Sequence, residues 1–437
     1  MADDTSIIMA CCSDIAGQVR GKGFPASDLP NRLKRGIGWT PTNVQITCFD
    51  VIAESPFGAL GDLLLIPDET TRFRAISDAG RQLEDTMLGD IVDLEGQPWA
   101  CCTRSILKAA LGRLKQVSGA SLTVAFEHEF QLEPRPGGGS SYSLEGARTQ
   151  LQLGQRIFDL MAANGLKPDT FMKEYGPDQY EVTMKPSDAL RAADNAVILR
   201  ELIRIAAGEQ QQRATFTPIR DPAGVGNGVH VHLSLNDADD QPITYDPASE
   251  TGLSQLAGHF VAGITRYLPS IIALLAPSAI SCLRLTPHRW SAAWNNLGLM
   301  DREASVRICP TTALDPEGIA RQFNVEVRAA DAAASPYLQL AAIVHAGAEG
   351  IAQAMPPPQL TQTDLSDHTE TQLADLGLQR LPMSLEEALR GFESDQTARG
   401  WFEDPFADVY LAHKRGELNV VRDLSAADMC ARYLNVY

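Results

Sequence analysis

The chain is short of positive charge. Its 437 residues carry 37 Lys and Arg against 55 Asp and Glu, a formal net charge of -18. That acidity argues against nucleic acid or an anionic membrane as a partner, because both require clustered cations. An anionic substrate would need positive charge gathered locally around it. There is no Cys-x-x-Cys pair among the eight cysteines, and two pairs, Cys11-Cys12 and Cys101-Cys102, are sequence neighbours. Neighbouring cysteines rarely bridge each other, so the thiols read as free and the compartment as reducing. A Gly-x-x-x-x-Gly-Lys-Ser loop is missing, which excludes a P-loop enzyme. Internal repeats and low-complexity tracts are absent too. The first residues, Met1-Ala2-Asp3-Asp4, are acidic where a signal peptide is basic. The most apolar stretch, Val261 to Ile280, contains Arg266, Pro269 and Pro277 and reads as a buried helix and loop rather than a membrane span. The expected location is cytoplasmic.

What is present suffices for a large core: 44% of residues are hydrophobic and 21% charged. The length predicts two or three domains. Up to about residue 100, short strand patterns alternate with turns, among them Val44 to Phe49 and Leu63 to Ile66, closed by Pro67-Asp68. A helical pattern from Thr103 to Val117 stops at Gly119. The division expected is a β-rich N-terminal domain, residues 1–105, and a larger domain, residues 106–437. In the latter, Leu122 to Leu132 reads as a strand, Glu145 to Ala163 as an amphipathic helix, and Met172 to Met184 as a hairpin broken at Gly176-Pro177. Ser187-Asp188 caps a helix to about Gly208. Val229 to Leu235 and Asn324 to Arg328 read as strands, Pro336 to Met355 as an apolar helix, and 356–380 as a surface loop. Strands and helices gathered apart from one another predict an α+β fold.

The residues that carry chemistry sit on these strands and turns. In Phe126-Glu127-His128-Glu129-Phe130, a strand places Glu127 and Glu129 on one face and the two rings and His128 on the other. Two solvated carboxylates on an edge strand would give the same pattern. Glu174 and Glu181 flank a turn at Gly176-Pro177 that can bring them together. Gly224, Gly226 and Gly228 allow close backbone approach to a ligand, and His230 and His232 follow on one strand face. Arg284, Arg302, Arg307 and Arg328 are candidate anion ligands, although any one of them could be a surface salt bridge. Glu326 and Arg328 alternate with valines, and a buried charged pair is costly without a partner or a function. Five carboxylates with one or two imidazoles favour a hard divalent ion, Mg²⁺ or Mn²⁺. Such an ion beside arginines is the equipment of phosphoryl transfer.

These motifs, in this order, resemble the glutamine synthetase superfamily over nearly the whole chain. The resemblance rests on the Glu-His-Glu strand, the 174–181 turn, the Gly-rich His-x-His strand and Arg284-Leu285. It rests also on Arg302 to Pro310, and on Glu326-Val327-Arg328 with Ser335-Pro336-Tyr337-Leu338; Arg20-Gly21-Lys22 and Pro67-Asp68 resemble N-terminal features. It implies a small β-grasp-like domain ahead of a catalytic domain with an antiparallel sheet and flanking helices. It implies that Glu129, Glu174 and Glu181 hold one metal and that Glu127, His230 and Glu326 hold a second. His232 and Ser234 would touch ATP, with Arg307 beside it. Arg284, Arg328 and the backbone near Gly226 would hold glutamate. Arg302 and Arg307 would stabilise the transferred phosphoryl group. The implied reaction passes through a γ-glutamyl phosphate to a γ-amide. The implied assembly is a homo-oligomer, a dodecamer of two hexameric rings with sites between subunits.

Departures from the family pattern bear on the acceptor. Trp290 stands, by register, where a glutamate that serves ammonium would be, and the family's Asp-Gly-Ser-Ser segment is absent. Ammonium needs compact anionic ligands, whereas indole offers an apolar face and a cation–π contact. Val225 and Asn324 replace an expected Asn and Arg, and the adenylylation Tyr segment is not recognisable after residue 360. The expectation is a glutamate–amine ligase, with Trp290 lining the pocket of a primary organic amine (alkyl, polyamine or aryl) in amine catabolism or detoxification. Its alternatives are an ordinary glutamine synthetase using ammonium and a non-catalytic family member.

Overall fold

The computed structural model describes residues 4–77, 79–134 and 137–437. Met1 to Asp3, the start of the acidic segment noted above, lie outside the described residues. Among the described residues six strands build the first sheet: β1 (Ile7–Ser13), β2 (Val19–Pro25), β3 (Ile37–Trp39), β4 (Leu63–Pro67), β5 (Phe73–Ile76) and β6 (Gln82–Val92). Their order is β2-β1-β6-β4-β3, with β5 also on β6. The pair β1 and β6 is parallel and the others are antiparallel, the arrangement expected of a β-grasp-like unit. Alternation along β1 serves two cores. Ile8, Ala10 and Cys12 face a small cluster with Trp39 and Met87, while Cys11 joins the main core.

Among the described residues the second sheet has ten strands: β7 (Ser121–Leu132), β8 (Pro168–Lys173), β9 (Gln179–Met184), β10 (Ser187–Asp188), β11 (Ala214–Thr215), β12 (Val229–Asn236), β13 (Leu297–Leu299), β14 (Val306–Ile308), β15 (Val325–Val327) and β16 (Leu360–Thr361). The main path runs β16-β13-β14-β15-β12-β7-β9-β8. It is antiparallel except where β13 meets β14 and β16. Helices Thr103–Ser118, Ala189–Glu209, Gln255–Leu275 and Pro336–Ala352 pack around its apolar face. Phe126 and Phe130 of β7 are fully buried in that core beside His128. This leaves Glu127 and Glu129 on the opposite face, as alternation requires. The helix Gln255–Leu275 is long and apolar enough to cross a membrane by length and composition, but most of it is buried inside the molecule.

Several sequence expectations hold closely. Thr103–Ser118 ends on Gly119 in the left-handed conformation, and the Asp188 side chain caps Ala189–Glu209 by accepting from the Arg191 N–H. Three do not hold. Val44 to Phe49 is not a strand: Pro41–Gln45 is a 3₁₀ turn opening with Pro41, and the Thr47 hydroxyl accepts the N–H groups of Phe49 and Val51 to close a loop. Glu145 to Ala163 is two helices, Leu144–Arg148 and Leu151–Ala163. They separate where Gln150 turns its amide to Gln212 and Thr149 meets Tyr180. Residues 356–380 are not only loop. They hold β16 and a helix, Glu370–Asp375, started by a capping box of Thr369 and Gln372.

Candidate active site

The fourteen residues given metal, nucleotide, substrate or acceptor roles from the sequence line one cleft of about 1180 Å³ on the polar face of the second sheet. Strand pairing explains most of this. Antiparallel register sets His230 opposite Glu127, His232 opposite Glu326, Glu129 opposite Glu181 and Arg307 opposite Glu326. Ionisable residues of five strands therefore converge on one face.

At the centre stand Glu127, His230 and Glu326, with one ligand atom from each within 4.8 Å of the others. His230 Nδ1 lies 2.9 Å from Glu127 Oε1 and 3.3 Å from Glu326 Oε1. Glu127 also approaches His232 Nε2 at 3.4 Å. Burial alone would raise the Glu127 pKa, but its bonds to His230 and His232 hold it well below the usual carboxylate range. Burial opposes the Glu326 charge as well. Arg328, His230 and His232 outweigh it and bring the carboxyl to about 2. Arg307 Nη1 donates to Glu326 Oε2 at 2.9 Å, and Arg328 Nη1 pairs with Oε1. These two arginines, expected to meet substrate, rest here on a ligand of the candidate metal site.

Glu129, Glu174 and Glu181 line the same cleft, more loosely. Glu129 Oε2 accepts from the Gly228 N–H at 2.9 Å and from Gln179 Nε2 at 3.1 Å. Glu174 accepts from the Tyr142 hydroxyl and from the Tyr175 N–H, both at 3.0 Å. Burial, then the charges of Glu127, Glu129 and Glu174, push Glu181 up to about 11. Such mutual repulsion among buried carboxylates is what a divalent cation relieves, and the oxygen-rich donors with one imidazole suit a hard ion. The residues present fit the expected metal.

Around this centre the other candidates occupy distinct walls. His232 Nδ1 meets Asn324 Oδ1 at 2.9 Å, and the Ser234 hydroxyl donates to the Phe323 carbonyl at 3.0 Å. Burial would depress His232, but Cys309, Glu127 and Glu326 hold its pKa well above normal. Arg284 is buried, donates to the carbonyls of Ala329 and Ala330 at 3.0 and 2.8 Å, and keeps an Nε without a partner among the described residues. Gly226 is required beneath it: a Cβ there would lie 2.3 Å from the Pro218 carbonyl oxygen and 2.5 Å from Arg284 Cγ. Arg302 is exposed and, among the described residues, has no carboxylate within ion-pair distance. Trp290, 45% exposed, meets the Tyr175 ring edge-on with centroids 4.7 Å apart.

Other contributors carried no recognisable sequence signal. Gln179 ties Glu129 to the Gly226 carbonyl and to Asn227, and Tyr142 reaches Glu174 from a loop thirty-two residues away. Cys309 lies 3.7 Å from Glu326 and 3.8 Å from His232. Glu303 binds the backbone of the Trp290 loop. Each depends on chain segments that meet only in the fold.

A mixed sheet domain ahead of a larger sheet-and-helix domain, with a metal-competent acidic cleft flanked by buried arginines, defines the class. The family model for the glutamine synthetase N-terminal domain matches residues 2–99, and that for the glutamine synthetase catalytic domain matches residues 100–433. The chain belongs to the glutamine synthetase family and is a ligase of that family. It is 31% identical over 432 residues to the gamma-glutamylpolyamine synthetase GlnA3 of Streptomyces coelicolor, covering 96% of this chain and 91% of that protein. A crystal structure described as a novel glutamine synthase homolog superposes with a TM-score of 0.91 at 38% identity, over 100% of both chains. Apo GmaS superposes with a TM-score of 0.81 at 25% identity, over 98% of this chain and 96% of that one.

Proposed function

We propose that the chain joins the γ-carboxylate of glutamate to a primary organic amine at the expense of ATP, through a γ-glutamyl phosphate. The observation that carries this reading is the convergence of the metal-type donors, the four arginines and a half-exposed tryptophan, in place of an acidic ammonium ligand, on one cleft. The similarity to a gamma-glutamylpolyamine synthetase supports an organic acceptor.

In this proposal Glu127, His230 and Glu326 hold one Mg²⁺ or Mn²⁺, and Glu129, Glu174 and Glu181 a second. The ions, when bound, neutralise charge on the phosphoryl oxygens. His232 and Ser234 orient the nucleotide. Arg284 and Arg328 take the glutamate, with the backbone at Gly226 closing against it. Arg302, which among the described residues has no carboxylate partner, and Arg307 receive the transferred phosphoryl oxygens, a task for planar two-point donors. Trp290 and Tyr175 wall the acceptor side, where an apolar amine body excludes water and favours aminolysis over hydrolysis. The protein works in the cytoplasm as a homo-oligomer, with a division into two domains near residue 105.

The test is phosphate release by the purified protein with ATP, glutamate and Mg²⁺ across ammonium, alkylamines, polyamines and arylamines. Preference for an organic amine is expected. Equal or better turnover with ammonium would make the chain an ordinary glutamine synthetase. No turnover with any acceptor, despite binding of ATP and Mg²⁺, would make it a non-catalytic member.

A further inference from the structure

The loop that carries Trp290 has an unusual backbone. His288 and Trp290 both lie in the left-handed region, at φ 62° and 51°, with Arg289 between them. Neither is glycine, and side chains of this size adopt that conformation only where surroundings enforce it. One residue binds the backbone N–H of both. Glu303 Oε2 accepts the N–H of His288 at 3.0 Å, and Glu303 Oε1 accepts the N–H of Trp290 at 2.6 Å. Both strained residues therefore point their donors at a single carboxylate, which needs two acceptor oxygens and no hydrogen of its own. Glu303 itself is partly buried, and the cleft lining includes Arg302 and Trp290 but not Glu303.

The loop is anchored on its carbonyl side as well. Arg328 donates from Nη2 to the Trp290 carbonyl at 3.0 Å and from Nε to the Arg302 carbonyl at 3.1 Å, while its Nη1 pairs with Glu326. Arg289 donates to the carbonyls of Pro222 and Leu283. Trp290 is thus held by its N–H from Glu303 and by its carbonyl from an arginine that also grips the candidate metal site. Its ring projects over the cleft against Tyr175, the neighbour of Glu174.

We infer that Glu303 is a positioning residue for acceptor specificity: it fixes the Trp290 loop in its left-handed course and so sets the wall against which the amine packs. This rests on the acceptor-side reading of Trp290 above. Glu303 acts through the loop and not on the reacting atoms, so its removal should weaken amine binding before it affects glutamate or ATP. Glu303→Gln keeps the shape but leaves one oxygen acceptor and turns an amide N–H₂ toward a backbone donor. Glu303→Asp keeps both acceptors on a shorter stem and should rescue in part.

The experiment compares full-length wild type, Glu303→Gln and Glu303→Asp in steady-state kinetics with the best acceptor from the amine series, ammonium included. Loop position is read without turnover, from acrylamide quenching of Trp290 fluorescence obtained by difference against Trp290→Phe. The Gln change should raise KM for the amine about tenfold, the effect of one charge-assisted hydrogen bond. KM for glutamate and ATP should stay within about twofold, Trp290 should become more quenchable, and the Asp variant should fall between. Proportional rises in all three KM values, an unmoved amine KM, or unchanged quenching would overturn the inference. Failure of the functional reading is separately visible: wild type would then use ammonium as well as any organic amine, while the quenching comparison still reports whether Glu303 holds the loop.

Discussion

Glu326 is the most constrained residue of the cleft. It is 1% exposed, accepts from Arg307 and Arg328, and lies within ligand distance of Glu127 and His230. Replacing it with alanine removes a donor of the proposed metal site and strands two buried guanidinium groups that it neutralises. Glu326→Ala should lower ATP-dependent phosphate release by at least about 100-fold. Turnover within a few-fold of wild type in the phosphate assay would remove Glu326 from the machinery. At this scale the sequence was unusually legible. The valines on either side of Glu326, and the alternation through Glu127 and Glu129, announced charges held on one strand face. It placed Arg328 beside Glu326 but did not announce that Arg307 would rest there too, because that pairing is made across strands, which no local pattern encodes.

At the scale of elements, two contacts among several join the N-terminal segment to the helices of the larger domain. Arg104, on the helix Thr103–Ser118, is 2% exposed. It donates at 2.9 Å to Asp68 and Asp90, which adjoin β4 and lie in β6, and to Asp194 on the helix Ala189–Glu209. Arg104→Ala leaves Asp194 buried without its cation and should cost about 3–5 kcal/mol. A chemical-denaturation midpoint unchanged from wild type would show the network to be dispensable. The second contact is His413, fully buried on the helix Phe406–Val421, with Nδ1 3.0 Å from the Val44 carbonyl.

Burial is the largest influence on His413, as on His128 and His345, and it lowers each imidazole to about 3. Unfolded, each titrates near about 6.5. Between these values the unfolded chain binds protons that the native one does not. Stability is therefore full above the unfolded value and is lost as pH falls toward 3, at about 1.4 kcal/mol per pH unit for each histidine. Melting temperature measured from pH 7 to pH 4 should fall, and less steeply in His413→Gln. An equal slope in that variant would mean that His413 is already protonated in the fold. Long periodic helices and their caps were readable from the chain. Val44 to Phe49 was not, because its apolar residues are buried by these distant elements rather than by strand partners.

For the whole molecule, the two sheets share one continuous core, in which Cys11, Phe73 and Leu88 of the first join Leu107 of the helix Thr103–Ser118 and Phe126 of the second sheet. Several large apolar side chains nonetheless face outward, among them Leu60 at 80% and Leu314 at 97% exposure. Such residues are what the ring assembly implied by the sequence resemblance would cover. Light scattering on the purified protein should give a mass near twelve copies of the 47.3 kDa chain. A monomeric mass at micromolar concentration would refute the assembly.

The sequence by itself determined the α+β class, the order of the motifs and which strand faces carry charge. Those properties follow from periodicity over a few residues and from turn and cap chemistry. Tertiary structure decided the rest: His230 against Glu127, His232 against Asn324 and Tyr337 against Asp194 join residues 103, 92 and 143 positions apart. It likewise decided that Glu303, thirteen residues after Trp290, holds that loop. Hydrogen bonds of this kind depend on where whole strands and loops come to rest, and on which buried donors are left needing an acceptor when they do.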